Sequence, residues 1–220
     1  MLTAALVINN IPQLQLQDSV GKARQIINDY KLTHLPVVID HKYLGLLSED
    51  DLLDVEDEKL PIEIIQDSFL KAFVLDDVHF LNAVNTSNQF ETNIVPVVNK
   101  ENEFVGVIVT ADLLKAMGDF SGANEIGGII VLEMKRIQFA ISEISRIVES
   151  NDCTVLHLNT TIDPLTGMLR VTLHINKKEV SAVVSTFERY DYTVLYHFGV
   201  EHYENELDNN YKHLMNYLNL

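Results

Sequence analysis

Two stretches of the sequence resemble each other: THLPVVIDHKYLGLLSEDDLL at Thr33–Leu53 and NIVPVVNKENEFVGVIVTADLL at Asn93–Leu114. Each begins near a Pro-Val-Val triplet, passes a polar turn and a glycine flanked by apolar residues, and ends on Asp-Leu-Leu. Pro36 and Pro96 lie 60 positions apart, and the one-residue difference in length lies in the turn, where insertions are tolerated. The pattern predicts a duplicated unit of strand, turn, strand and helix.

The residues upstream of each strand pair have helical spacing. Ser19–Tyr30 carries apolar residues on one face, and Asp18 or Ser19 is a suitable N-cap. Val78–Asn88 repeats the pattern, with Asp76 or Asp77 as its cap. Because a unit of about 60 residues buries little surface alone, the two copies are expected to share an interface. The charged stretch 54–64 between them, which contains a proline, is expected to be an exposed connection.

A different pattern follows the small, Gly-rich boundary at 119–127. Alternating or apolar runs predict four strands, at Gly128–Glu133, Thr154–Thr161, Leu169–Ile175 and Thr193–Phe198. Amphipathic spacing predicts two helices, at Ile137–Glu149 and Val180–Tyr190. The resulting order, βαββαβ, is typical of the ferredoxin-like fold. Residues 201–220 carry an apolar stripe at helical spacing and predict a C-terminal helix that packs on another surface.

Composition restricts the functional classes. The chain has 32 acidic and 16 basic residues, a net charge of -16, which disfavours binding to nucleic acid and to anionic membranes. Its single cysteine, Cys153, excludes an internal disulfide framework. No basic leader segment and no apolar run of about 20 residues is present, so a cytoplasmic protein is expected. Because the P-loop, GxGxxG, HExxH and GxSxG motifs are absent, we do not expect an enzyme.

The duplicated segment resembles a CBS-domain pair, the tandem module named after cystathionine β-synthase. Residues 1–60 and 61–118 correspond to the two repeats, and 126–200 resembles an ACT-type domain by its strand order. The expected fold is therefore α+β, a Bateman-type module followed by a ferredoxin-like domain and the helix at 201–220. The series as a whole is similar to the acetoin-utilisation regulatory protein B family.

The resemblance extends to the signature G-x-x-[ST]-x-x-D. Gly45, Ser48 and Asp51 match it in full, whereas the second repeat keeps its glycine and aspartate but has Val109 at the hydroxyl position. The resemblance implies that the aspartate of the signature binds the ribose and that the hydroxyl contacts a phosphate. It also implies that the segment at the proline, His34 to Pro36, lines the adenine slot. Glycine would let the ligand approach the strand closely. The candidate binding residues are His34, Leu35, Pro36, Gly45, Ser48, Asp51, Pro96, Gly106, Thr110 and Asp112.

The resemblance implies a regulatory sensor that binds AMP, ADP, ATP or S-adenosylmethionine and transmits occupancy through a homodimer. The alternative is a ligand-free dimerisation module that acts through a protein partner, in which Ser48 and Asp51 serve only as a helix cap. The loop at 133–137 lacks the glycine of ACT effector sites, which favours a dimerisation role for that domain. His157 and His174 are expected opposite each other on adjacent strands, where a solvated sheet face is favoured over a metal site.

Overall fold

The structure is a computed structural model in which residues 1–199 are described, so the helix expected at 201–220 lies outside the described residues. The chain divides into two compact units, with the boundary between Met117 and Gly118. No helix within the described range is long and apolar enough to cross a membrane.

The first unit contains both copies of the duplicated segment. In the first copy, α1 (Val20–Tyr30) is followed by β1 (His34–Ile39), β2 (Lys42–Ser48) and α2 (Glu49–Leu53). The second copy consists of β3 (Val74–Leu75), α3 (Leu81–Gln89), β4 (Ile94–Val98), β5 (Phe104–Val109) and α4 (Thr110–Ser121). The strand pairs β1–β2 and β4–β5 are antiparallel hairpins, and β3 runs parallel to β4.

The segment that precedes each copy joins the two sheets. Residues 7–14 pair with Val107 of β5 and then with Val37 of β1. Residues 69–75 run from the first copy to the second, because they pair first with Leu46 of β2 and then with β4. Each of these two segments therefore pairs with strands of both copies. Apolar residues of the two copies contribute to one core cluster. This crossing explains how two units of about 60 residues bury enough surface to be stable.

Helix α3 begins at Leu81, three residues later than the sequence pattern indicates, and its N-cap position is Phe80 rather than Asp76 or Asp77. The cause is a long-range contact with the N-terminal segment. The backbone N–H groups of Thr3 and Ala4 donate to the carbonyls of Val78 (2.9 Å) and Asp76 (3.0 Å), which holds this stretch in a turn. The Thr3 hydroxyl lies within hydrogen-bond distance of the same two carbonyls.

The stretch between the copies is less exposed than its charge indicates. Val55 and Ile62 within it are buried. Arg24 of α1 fastens it by donating to the carbonyls of Leu52 (2.5 Å) and Val55 (2.9 Å) and to Glu58 (2.9 Å). The connection is therefore part of the packed unit.

The second unit has the strand and helix order expected from the sequence. Its elements are β6 (Gly128–Met134), α5 (Ile141–Glu149), β7 (Val155–Ile162), β8 (Leu169–Ile175), α6 (Ser181–Arg189) and β9 (Thr193–Phe198). The strands form one antiparallel sheet in the order β7-β8-β6-β9. The buried faces of α5 and α6 pack with it in a single apolar cluster.

The helix expected at Ile137–Glu149 is interrupted. A short 3-10 turn at Arg136–Gln138 is followed by extended residues, and α5 starts only at Ile141. The side chain of Gln138 accepts the backbone N–H of Lys135 at 2.9 Å, which closes the turn on itself. Ile137 is consequently 92% exposed and does not belong to the buried face.

Candidate functional site

A cavity of about 320 Å³ lies in the first unit, where β1 begins and β2 ends. Both copies contribute to its wall, and so do residues 69–75, the crossing segment that pairs with strands of both copies. The lining residues are Thr33, His34, Ser48, Glu49, Asp50, Leu70, Phe90 and Glu91.

The two copies meet at the side of this cavity through Thr33 and Asn93, which are equivalent positions. The side-chain oxygen of Asn93 accepts the backbone N–H of Thr33 at 3.0 Å and its hydroxyl at 3.1 Å. The amide group of Asn93 also donates to the carbonyl of Lys31 at 2.9 Å. Because these bonds join one copy to the other, a ligand beside them would contact both repeats at their junction.

Two signature residues, Ser48 and Asp51, form a reciprocal cap at the start of α2. The backbone N–H of Asp51 donates to Ser48 Oγ at 3.0 Å, and the Ser48 hydroxyl donates to Asp51 Oδ2 at 2.5 Å. The backbone N–H of Ser48 also donates to Oδ2, at 3.3 Å. Such a capping box stabilises the helix start by about 1 kcal/mol. The Ser48 hydroxyl, expected to contact a phosphate, is therefore already donating to a carboxylate.

His34 lies at the cavity wall and is largely buried. Its Nδ1 atom is 2.8 Å from the hydroxyl of Thr33. Burial lowers the pKa of His34 below its ordinary value, an effect that the charges of Asp51 and Asp50 oppose. The imidazole is therefore neutral near pH 7 and adds no positive charge to the cavity.

The space in front of Gly45 is filled by the protein itself. A Cβ atom at this position would lie 2.9 Å from the carbonyl oxygen of Leu70 and 2.9 Å from Cβ of Phe69. Leu46 and Leu70 exchange backbone hydrogen bonds there, at 2.8 and 2.9 Å. Glycine thus permits the close approach of the crossing segment, where a ligand had been expected.

Leu35 and Pro36 were expected to line the adenine slot, but both are buried and neither lines the cavity. Leu35 belongs to the apolar core of the first unit. The alternation of β1 explains the difference for Leu35, because successive side chains of a strand point to opposite faces and Leu35 points away from the face of His34. Pro36 shares the face of His34 but lies further along the strand, where it pairs with Leu46. The apolar wall comes instead from Leu70 and Phe90, which lie far from the signature in sequence.

The candidate residues of the second copy do not line this cavity. Val109 pairs with Ile94 as Ser48 pairs with His34, so the valine occupies the position of the serine. Thr110 lies one residue further on and begins α4, its backbone N–H donating to the carbonyl of Asn93 at 3.0 Å.

The remaining candidates of the second copy occupy equivalent backbone positions. Pro96 is buried within β4, and Asp112 lies in the first turn of α4. Gly106 is covered by residues 7–9, since a Cβ there would lie 2.8 Å from the carbonyl oxygen of Ile8. Both signature glycines therefore accommodate a crossing segment.

The two histidines of the second unit stand opposite each other, His157 on β7 and His174 on β8, as expected. His174 is buried, and the ring of His157 makes an edge contact with Phe120. Across residues 1–199, no cluster of three or more His, Cys, Asp or Glu side chains is arranged to hold a metal ion.

Six of the eight lining residues are not among the candidates that the signature predicts: Thr33, Glu49, Asp50, Leu70, Phe90 and Glu91. The duplication carried one usable signal for the last two, because Tyr30 and Lys31 precede the first Pro-Val-Val strand as Phe90 and Glu91 precede the second. Leu70 had no such signal, since its place depends on pairing with β2.

Comparison with known proteins identifies the duplicated segment. Residues 4–58 and 82–119 match the CBS domain family. An inosine-5'-monophosphate dehydrogenase of Methanocaldococcus jannaschii is 27% identical over 113 residues, which are 50% of this chain and 22% of that protein. The corresponding enzyme of Korarchaeum cryptofilum is 22% identical over 111 residues, 50% of this chain and 23% of that protein. The chain thus spans less than a quarter of the length of these curated relatives.

Part of the chain is also similar to solved structures. A CBS domain pair/ACT domain protein of Thermotoga maritima superposes with a TM-score of 0.51 at 20% identity, covering 55% of this chain and 98% of that chain. A putative acetoin utilization protein of Vibrio cholerae has a TM-score of 0.47 at 16% identity, covering 56% and 95% of the two chains.

Proposed function

The first unit is a tandem pair of CBS domains, and we propose that its cavity binds an adenosine-containing ligand and that the chain is a regulatory sensor, not an enzyme. CBS pairs are generally regulatory and often bind such ligands. The observation that carries the proposal is the composition of the cavity wall, in which His34 and Ser48 of one repeat face Phe90 and Glu91 of the other. A ligand there makes contacts that depend on how the repeats are arranged, so its binding shifts the balance between arrangements.

The candidate ligands are AMP, ADP, ATP and S-adenosylmethionine, which share the adenosyl group. Leu70 and Phe90 supply apolar surface for the base, and His34 a neutral ring beside them. Asp51 does not itself line the cavity but lies between the lining residue Asp50 and Leu52 at the start of α2. Because the hydrogen bonds described for its carboxylate all use Oδ2, we propose that Oδ1 accepts from the ribose hydroxyls when a ligand is bound.

We further propose that the sensor acts as a homodimer. On the first unit, Leu53 of α2 and Leu114 of α4 occupy equivalent positions and are 68% and 74% exposed. On the second, an ACT-like role in pairing is supported by Tyr196 and Phe198, exposed on the edge strand β9. Exposed apolar side chains of this kind are typical of interaction surfaces. Sedimentation analysis tests the proposal: a chain that stays monomeric at a concentration of about 50 µM, which corresponds to a dimerisation free energy weaker than about 6 kcal/mol, contradicts it.

A second function is supported by the capping box. Ser48 and Asp51 form hydrogen bonds to each other at the helix start, so their arrangement needs no ligand. It is equally consistent with a scaffold that acts through a protein partner.

Thermal unfolding with adenosine, AMP, ADP, ATP and S-adenosylmethionine separates the two functions. A ligand at about 100 times its Kd stabilises the native state by about 2.7 kcal/mol. We expect this stabilisation in the wild-type chain and in Asp112→Ala, and its loss in Asp51→Ala. Since Asp51→Ala also removes a cap, the quantity to compare is the difference with and without ligand for each variant. No stabilisation by any of the five compounds would support the scaffold.

A further inference from the structure

Three carboxyl groups line the cavity: Glu49 and Asp50 from the start of α2, and Glu91 from the residue pair that follows α3. Within the described range, 1–199, no lysine or arginine lines it. The polar side chains that remain, those of Thr33, His34 and Ser48, carry no charge, and each already makes a hydrogen bond within the protein. The cavity therefore presents a strongly negative surface to any ligand.

The internal duplication supplies a comparison. Glu49 and Thr110 are equivalent, because their backbone N–H groups donate to the carbonyls of Thr33 (2.9 Å) and Asn93 (3.0 Å). Asp50 is thus matched by Ala111.

Glu91 is matched by Lys31. Both follow the first helix of their repeat, both have a left-handed backbone, with φ of 50° and 56°, and both are exposed. The three acidic positions around the cavity therefore correspond to two neutral residues, Thr110 and Ala111, and one cation, Lys31, at the equivalent positions. The two sets of positions share one backbone arrangement but carry opposite net charge.

We propose that the cavity selects an adenosyl ligand that is neutral or carries a positive charge, such as a sulfonium, and discriminates against free nucleotide phosphates. This inference rests on the proposed function and specifies the ligand class of the same site. A phosphate placed among Glu49, Asp50 and Glu91 meets like charge, and the cavity wall offers no cation to offset it. Repulsion of this kind is a recognised means of specificity.

Calorimetric titration at low ionic strength, without divalent cations, tests the charge dependence directly. The probes are adenosine (neutral), S-adenosylmethionine (sulfonium), AMP and ATP. For the wild-type chain we expect AMP to bind at least about tenfold more weakly than adenosine, ATP more weakly again, and S-adenosylmethionine at least as tightly as adenosine. The gap between adenosine and AMP should narrow at about 0.5 M salt, because exposed charges are screened.

The key variant replaces each acidic residue with the residue at its equivalent position in the other repeat: E49T, D50A and E91K combined. We expect its AMP affinity to rise about tenfold or more while its adenosine affinity stays within about twofold. The single variant Glu91→Gln, which leaves α2 untouched, should raise AMP affinity about threefold and serves if the triple variant folds poorly. Glu56→Gln, an exposed carboxylate that does not line the cavity, is the matched control and should change neither affinity.

Two results overturn the inference: AMP or ATP binding more tightly than adenosine to the wild-type chain, or an unchanged ratio of AMP to adenosine affinity in both charge variants. Failure of all four probes, adenosine included, instead overturns the proposed function itself. Because adenosine carries no charge, the two failures are distinguishable.

Discussion

Replacing Gly45 with alanine tests whether the signature glycine serves the fold or the ligand. The added Cβ would lie 2.9 Å from two atoms of the crossing segment, the carbonyl oxygen of Leu70 and Cβ of Phe69. Neither is the mobile end of a side chain, and the Leu70 backbone is held by two hydrogen bonds to Leu46. The segment must move by several tenths of an ångström, which lengthens those bonds.

Overpacking of this kind costs about 1–3 kcal/mol. We therefore expect Gly45→Ala to lower the free energy of unfolding of the first unit by about 2 kcal/mol, roughly a thirtyfold change in the unfolding equilibrium. Urea denaturation followed by far-ultraviolet circular dichroism measures the loss. Hydrogen exchange of peptides that cover β2 assigns it to the first unit.

Gly118→Ala is the matched control, because Gly118 is helical and the nearest atom to its added Cβ is 4.0 Å away. Alanine should stabilise that helix by about 0.5–1 kcal/mol. A loss below about 0.5 kcal/mol in Gly45→Ala would refute the close-approach argument. Unchanged stability combined with lost adenosine binding would show that the glycine faces the ligand after all.

Three further results are expected. The buried, neutral His34 has a pKa below its ordinary 6.5, so protonation favours the unfolded chain, and the free energy of unfolding should fall as the pH drops below about 6.5. In urea titrations at pH 7 and pH 5, His34→Gln should reduce this loss of stability, and an equal loss in the variant would refute the prediction. Tyr43→Phe removes a hydroxyl that donates to the carbonyl of Ala72 at 2.7 Å and should cost about 1–2 kcal/mol, measured by chemical denaturation; a change below about 0.3 kcal/mol would indicate that water replaces the bond. Asn93→Ala breaks three described bonds between the repeats and should destabilise the first unit by about 1–3 kcal/mol, whereas Asn88→Ala, on an exposed helix position, should change little.

The sequence by itself determined much of the local structure. The duplication identified both repeats, period-two alternation placed β8 at its observed bounds, and the last predicted strand coincides with β9. The sequence offered a helix cap at Ser48 and Asp51 only as the alternative to a ligand site, and the structure contains that cap. These features depend on residues a few positions apart, so a local pattern is sufficient to reveal them.

Only the tertiary structure decided how the cavity is built. Leu70 reaches it because residues 69–75 pair with strands of both repeats, and Thr3 delays the start of α3 from more than 70 positions away. Glu91 becomes part of the first repeat's cavity only because the repeats are joined at Thr33 and Asn93. Contacts between residues distant in sequence leave no periodic signal, because the chain between them can vary without changing the pattern at either end. The negative charge of the cavity depends on contacts of this kind, because its carboxyl groups come from both repeats. Neither signature reveals that charge by itself.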